Sequence, residues 1–203
     1  MLKKFALINE WDHKVFAEFI NEMQSVLDAL AGGGIPSADY TIDELKEFCI
    51  SLLDNQQGIL RPKETGYYSI VAGSWAVTTD VQNMDSDCRF DYVLIPTTIV
   101  ISILTFVMIK YPDLLSDIPD FKEKLKAGYV FSHGRRFQGV GMDFNAGLWQ
   151  SLKILHKGMV LEYIKDNPDF CPSFNEALRT VCEERRIDLK LLDQEPANNF
   201  DEW

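Results

Sequence analysis

Two short stretches of this chain hold the residue types that do chemistry. The first, SHGRRFQGVGMD over 132–143, sets His133, one of only three histidines, beside the adjacent pair Arg135 and Arg136 in a glycine-rich run. Guanidinium groups offer bidentate contacts to carboxylate or phosphate, so an anion site is the natural expectation. The grammar of a phosphate loop is incomplete, however. Gly134 and Gly139 have Walker spacing, but Val140 and Gly141 stand where Lys and Ser or Thr must follow. A dinucleotide fingerprint fails too, because Phe144 takes the place of its third glycine. Asp143 is placed to cap the next helix and would satisfy the amides that a phosphate would use. What remains is a site for a small anionic or polar ligand on His133, Arg135 and Arg136, weighed against arginines that simply pair with acids of the same fold.

The second stretch, QNMDSDCRFD over 82–91, concentrates carboxylates around a thiol. Asn83, Asp85, Asp87 and Asp91 match four oxygen positions of a calcium loop, but Cys88 replaces its glycine and Leu94 its bidentate glutamate. No metal site is assigned. Cys88 and His133 could form a nucleophile and base oriented by Asp85 or Asp143, although neighbouring acids raise a thiol pKa rather than lower it. Asp85, Asp87, Cys88 and His133 are therefore the candidates for catalysis, and no cofactor is implied. The three histidines contain no i,i+4 pair, which argues against zinc. His156 falls with Leu152, Met159 and Tyr163 on an apolar face, as a satisfied core histidine would, and His13 falls on a polar one.

Charge narrows the function classes. The net charge of -11 opposes nucleic-acid binding. Residues 1–100 hold 7 basic and 15 acidic side chains, whereas residues 121–160 hold 7 basic and 2 acidic. That positive island serves either a ligand or the acidic loop with Asp80, Asp85, Asp87 and Asp91. Four cysteines without a CxxC pair, and an N-terminus that turns charged early, lead to the expectation of free thiols and a cytoplasmic location. The uncharged run YVLIPTTIVISILTFVMI over 92–109 reaches the length of a membrane span. Its Pro96, Thr97, Thr98, Ser102 and Thr105, and the amphipathic segments around it, favour a buried core helix and no membrane partner.

Periodicity predicts an all-α fold of about seven antiparallel helices. The first carries an apolar stripe of Ile8, Trp11, Val15, Phe19, Met23, Val26 and Leu30 and ends at GGGIP. A Thr41–Glu44 capping box opens the second, to about Leu53. Residues 66–82 suit either strand or helix and are taken as a third helix. The fourth starts near Pro96, the fifth spans about Ile118–Ser132, the sixth about Phe144–Asn167, and the seventh opens with a Ser173–Glu176 box. Alternating directions would bring the loops 32–40, 81–95 and 132–143 to one end, where a ligand would meet helix N-termini. Residues 1–191 form one domain, and the acidic 192–203 reads as a disordered tail.

The block IPTTIVISILTFVMI followed by HGRRFQGVGMDFNAGLWQSLKIL resembles the helical-hairpin repeat of α/α-toroid proteins such as terpene cyclases and protein prenyltransferases. The resemblance covers about residues 80–155. It implies helical hairpins in an open or partial toroid, with a homo-oligomer as one way to complete a ring. M-D-S-D-C supplies Asp85 and Asp87 of a cyclase D-x-D-D motif but Cys88 in its last place, so the resemblance informs architecture rather than reaction. The expectation is a ligand-binding helical protein, with a protein-interaction or oligomeric module and a toroid-like or Cys/His enzyme as the alternatives.

Overall fold

A computed structural model describes residues 2, 13–36, 40–56, 73–75, 91–136 and 144–193. These residues form seven α-helices: α1 His13–Gly32, α2 Ile42–Asp54, α3 Asp91–Lys110, α4 Phe121–Arg136, α5 Phe144–Lys157, α6 Val160–Asp166 and α7 Pro172–Arg185. A 3-10 helix follows at Leu189–Asp193. No strand occurs among the described residues. Helix α3 is the axis of the fold and packs against α1, α4, α5 and α6. Ile99, Val100, Ile101, Ile103, Leu104 and Val107 are all fully buried in it. Burial on every side explains why this sequence lacks a polar face. No described helix is long and apolar enough to cross a membrane. Two of the hydroxyls within α3 are satisfied locally, Thr98 Oγ1 bonding to Leu94 O and Ser102 Oγ to Thr98 O.

The count of seven agrees with the sequence for a different reason than expected. At 73–75 the chain is not helical. Gly73 has φ +86°, and a Cβ there would lie 2.6 Å from Ala127 O, so the backbone leaves the right-handed helical region to pass close to α4. Its carbonyl accepts from Gln56 Nε2, and Trp75 N–H donates to Thr97 Oγ1. The fully buried Trp75 indole donates to Leu52 O at 2.6 Å. These bonds run to other elements, where a helix would use its own turns. The rest of the expected third helix, 66–72 and 76–82, lies outside the described residues, and the expected sixth helix is split in two. A Cβ at Gly158 would lie 2.5 Å from Ser102 Cα, and Met159 adopts φ 59°, so α5 ends and α6 restarts at a new angle.

Tyr111, just past α3, uses its hydroxyl both to accept from Ile35 N–H at 2.8 Å and to donate to Ile35 O at 3.1 Å. Residues 32–36 therefore sit at the C-terminal end of α3, opposite its first residues 91–95, while 81–90 and 137–143 of the other two expected loops lie outside the described residues. Lys46 reaches Asp117 at 3.2 Å and ties the start of α2 to the same end.

Smaller differences follow local chemistry. Helix α3 starts five residues before Pro96, which therefore lies inside the helix and forgoes one intrahelical bond instead of opening it. Helix α4 starts at Phe121 and runs on through Arg136. The Thr41–Glu44 box forms as expected, but α7 is capped at Cys171 with Pro172 in its first turn, so Ser173 and Glu176 form no box. In α1 the stripe holds at Met23, Val26 and Leu30, but near its start Phe16 is buried and Val15 exposed. The 3-10 helix reaches Asp193, with Leu192 buried, and 194–203 of the expected tail lie outside the described residues.

Candidate functional site

The larger concavity lies at the C-terminal end of α3. It is a groove of about 590 Å³ open to solvent, lined by Met108 and Ile109 of α3, Pro112, Leu115 and Ser116 of the following turn, Phe121 and Lys122 of α4, and Tyr163 and Asn167 around the end of α6. The turn is built from short-range bonds. Tyr111 N closes α3 on Val107 O, Leu114 N bonds to Tyr111 O, and Ile118 N bonds to Leu115 O. Ser116 Oγ donates to Asp113 O. Leu115 and Phe121 are buried and anchor the floor. Asp120, at φ 57°, redirects the chain into α4.

The α6 wall is held equally firmly. Asn167 donates to Tyr163 O from both its backbone N and its Nδ2, each at 2.9 Å. Asn175 of α7 donates through Nδ2 to Ile164 O and Pro168 O, which fixes the connection between the two helices. The Tyr163 ring meets Phe170 edge-on at 5.2 Å, and Phe170 meets Tyr129 in the same way at 5.4 Å. Burial raises the Tyr163 pKa above the usual phenol value, so its hydroxyl stays protonated through neutral and mildly alkaline pH. A second recess, of about 360 Å³, shares Tyr163 and Asn167 and adds Asp166, Pro168, Asp169 and Phe170. Among the described residues, Lys122 is the only charged one lining the larger groove, and the two aspartates border only the smaller recess.

The residues singled out from sequence are elsewhere. His133, Arg135 and Arg136 belong to the last turn of α4, in a helix rather than a glycine-rich loop. Cationic residues suit a helix C-terminus because they offset its partial negative charge. Lys122 and Arg136 are separated by roughly 20 Å along the α4 axis. Asp85, Asp87 and Cys88 lie outside the described residues, as does Asp143. Two lysines of the positive island are engaged internally: Lys124 Nζ donates to Leu53 O at 3.0 Å, and Lys157 pairs with Asp28. Neither partner belongs to the acidic loop. His156 is half-buried and its Nδ1 lies 3.0 Å from Glu162 Oε1, a bond that spans the α5–α6 break, so it is partnered as the apolar-face reading required. No group of three or more His, Cys, Asp or Glu suited to a metal occurs among the described residues. Cys49, Cys171 and Cys182 are free thiols.

The groove residues gave little signal in the sequence, because they come from four separate elements and are mostly apolar. The one cue was the pair of short connections at 111–117 and 167–172, each carrying a proline. No family model matches the chain, and no curated protein or solved structure matches it.

Proposed function

We propose that this chain is a binding protein that takes a small, largely apolar ligand in the groove between α3, α4 and α6. The observation that supports this reading is the lining: Met108, Ile109, Pro112, Leu115 and Phe121 give an apolar bed, and Lys122, Tyr163, Asn167 and Ser116 give a few polar groups. That mixture, at about 590 Å³, falls within the range of small-molecule sites. A protein partner would need a far wider contact to bind stably. Methyl NMR tests the reading. Titration with decanol is expected to shift the Met108 and Ile109 methyl signals in a saturable way, and Ser116→Trp, which fills the groove from its exposed rim, is expected to abolish the response. Unmoved groove methyls with both neutral and anionic ten-carbon ligands overturn it.

A second reading keeps a small anionic ligand at the far end of α4, on His133, Arg135 and Arg136. It is favoured by Ser132, whose fully buried hydroxyl has no hydrogen-bond partner one turn before Arg136. Such a group is costly to bury and invites a polar contact. Arg135→Ala combined with Arg136→Ala is expected to remove phosphate-dependent thermal stabilisation while preserving the helical circular dichroism spectrum.

A further inference from the structure

We infer that the groove selects an amphiphile with one anionic head group, its chain lying along Met108, Ile109, Leu115 and Phe121 and its anionic oxygens meeting the Lys122 ammonium. The inference rests on the proposed apolar-ligand site and adds its head-group chemistry. Charge complementarity carries it, because the single charged side chain among the described residues of the lining is cationic. The acids near Lys122 in sequence, Asp117, Asp120 and Glu123, are not among those lining residues, and Asp117 is engaged by Lys46 at 3.2 Å, a contact that lowers its pKa. Asp166 and Asp169 lie in the smaller recess, beyond the residues it shares with the groove. A bound anion is thus drawn toward Lys122 and repelled from the α6 end, which orients the ligand. Tyr163, kept protonated by burial, lines both spaces and offers a neutral hydroxyl between these charges.

The test compares decanoate, decyl phosphate, decanol and decyltrimethylammonium by calorimetry and by the Met108 and Ile109 methyl shifts, on the full chain. Decanoate and decyl phosphate are expected to bind roughly tenfold or more tightly than decanol, the scale of one charge-assisted hydrogen bond. Lys122→Gln should bring decanoate and decyl phosphate down to the affinity of decanol, whereas Lys122→Arg should retain the difference. Lys122 is exposed, so neither variant disturbs the core. If decanol binds as tightly as decanoate, or Lys122→Gln changes neither, the head-group assignment is overturned while the apolar site stands. Tighter binding of decyltrimethylammonium overturns it as well. If no ligand moves the groove methyls, the site itself fails. Phosphatidylcholine vesicles containing oleate form the last arm. Binding to them without any response to free decanoate overturns the inference, because the groove would then be reading a membrane surface instead of a single amphiphile.

Discussion

Single groups buried in this fold set how it responds to pH and to small deletions. Cys49 is fully buried on α2, and desolvation pushes its thiol up to about 12 from an ordinary value of 9.0. The unfolded thiol ionises first, so the stability contributed by the protonated form is complete below pH 9 and is lost as pH rises toward 12. One such group changes unfolding free energy by about 1.4 kcal/mol per pH unit in that window. Urea titrations at a series of pH values should show this decline, and Cys49→Ala should flatten it. Tyr129 is equally buried, and its hydroxyl is paired with Thr105 Oγ1 at 2.8 Å. Tyr129→Phe leaves the Thr105 hydroxyl unpaired in the core and is expected to cost about 1–3 kcal/mol. Thr105→Val in the same background should restore part of the loss, which a double-mutant cycle in urea would measure.

At the scale of elements, close approaches decide where helices end. Gly158→Ala forces a Cβ onto the backbone of Ser102 and should destabilise by about 1–3 kcal/mol. Gly32→Ala, at the end of α1 with nothing within 4 Å, should be neutral or stabilising by up to about 1 kcal/mol. Comparing the two by chemical denaturation separates packing from backbone entropy. The same positions show what the sequence made legible. Periodicity gave the buried axis of α3, the register of Phe121, Leu125 and Tyr129, and the Thr41–Glu44 cap, because each depends on neighbours three or four residues apart. It missed the break at Gly158, although His156 and Lys157 followed by glycine is an ordinary helix-ending pattern. The apolar spacing of Met159 and Tyr163 continued across the break and hid it. It also misread Gly73–Trp75, whose bonds to Gln56, Thr97 and Leu52 are all tertiary. The groove was not legible, since its lining is assembled only when four elements meet. The toroid resemblance spans residues 80–155, of which 80–90 and 137–143 lie outside the described residues.

For the whole molecule, the packing of α1, α4, α5 and α6 around α3 predicts a hierarchy of protection. Amides of residues 99–107 should exchange with solvent only on global unfolding, while those of α7, which contacts α4 alone among its larger contacts, should exchange through cheaper openings. Hydrogen exchange at increasing urea would show the two classes merge only near the unfolding midpoint. The link between α2 and α4 has a chemical consequence of its own. The last carbonyls of a helix lack partners four residues on, and Leu53 O of α2 is satisfied at 3.0 Å by the part-buried Lys124 ammonium, 71 residues on in sequence. An amine held this way is a poor nucleophile toward acylating reagents until the two helices separate. Among the lysines of this chain, Lys124 should therefore be labelled slowly in the native protein and at the ordinary rate once α2 undocks, which makes its acylation rate a covalent footprint of that one event.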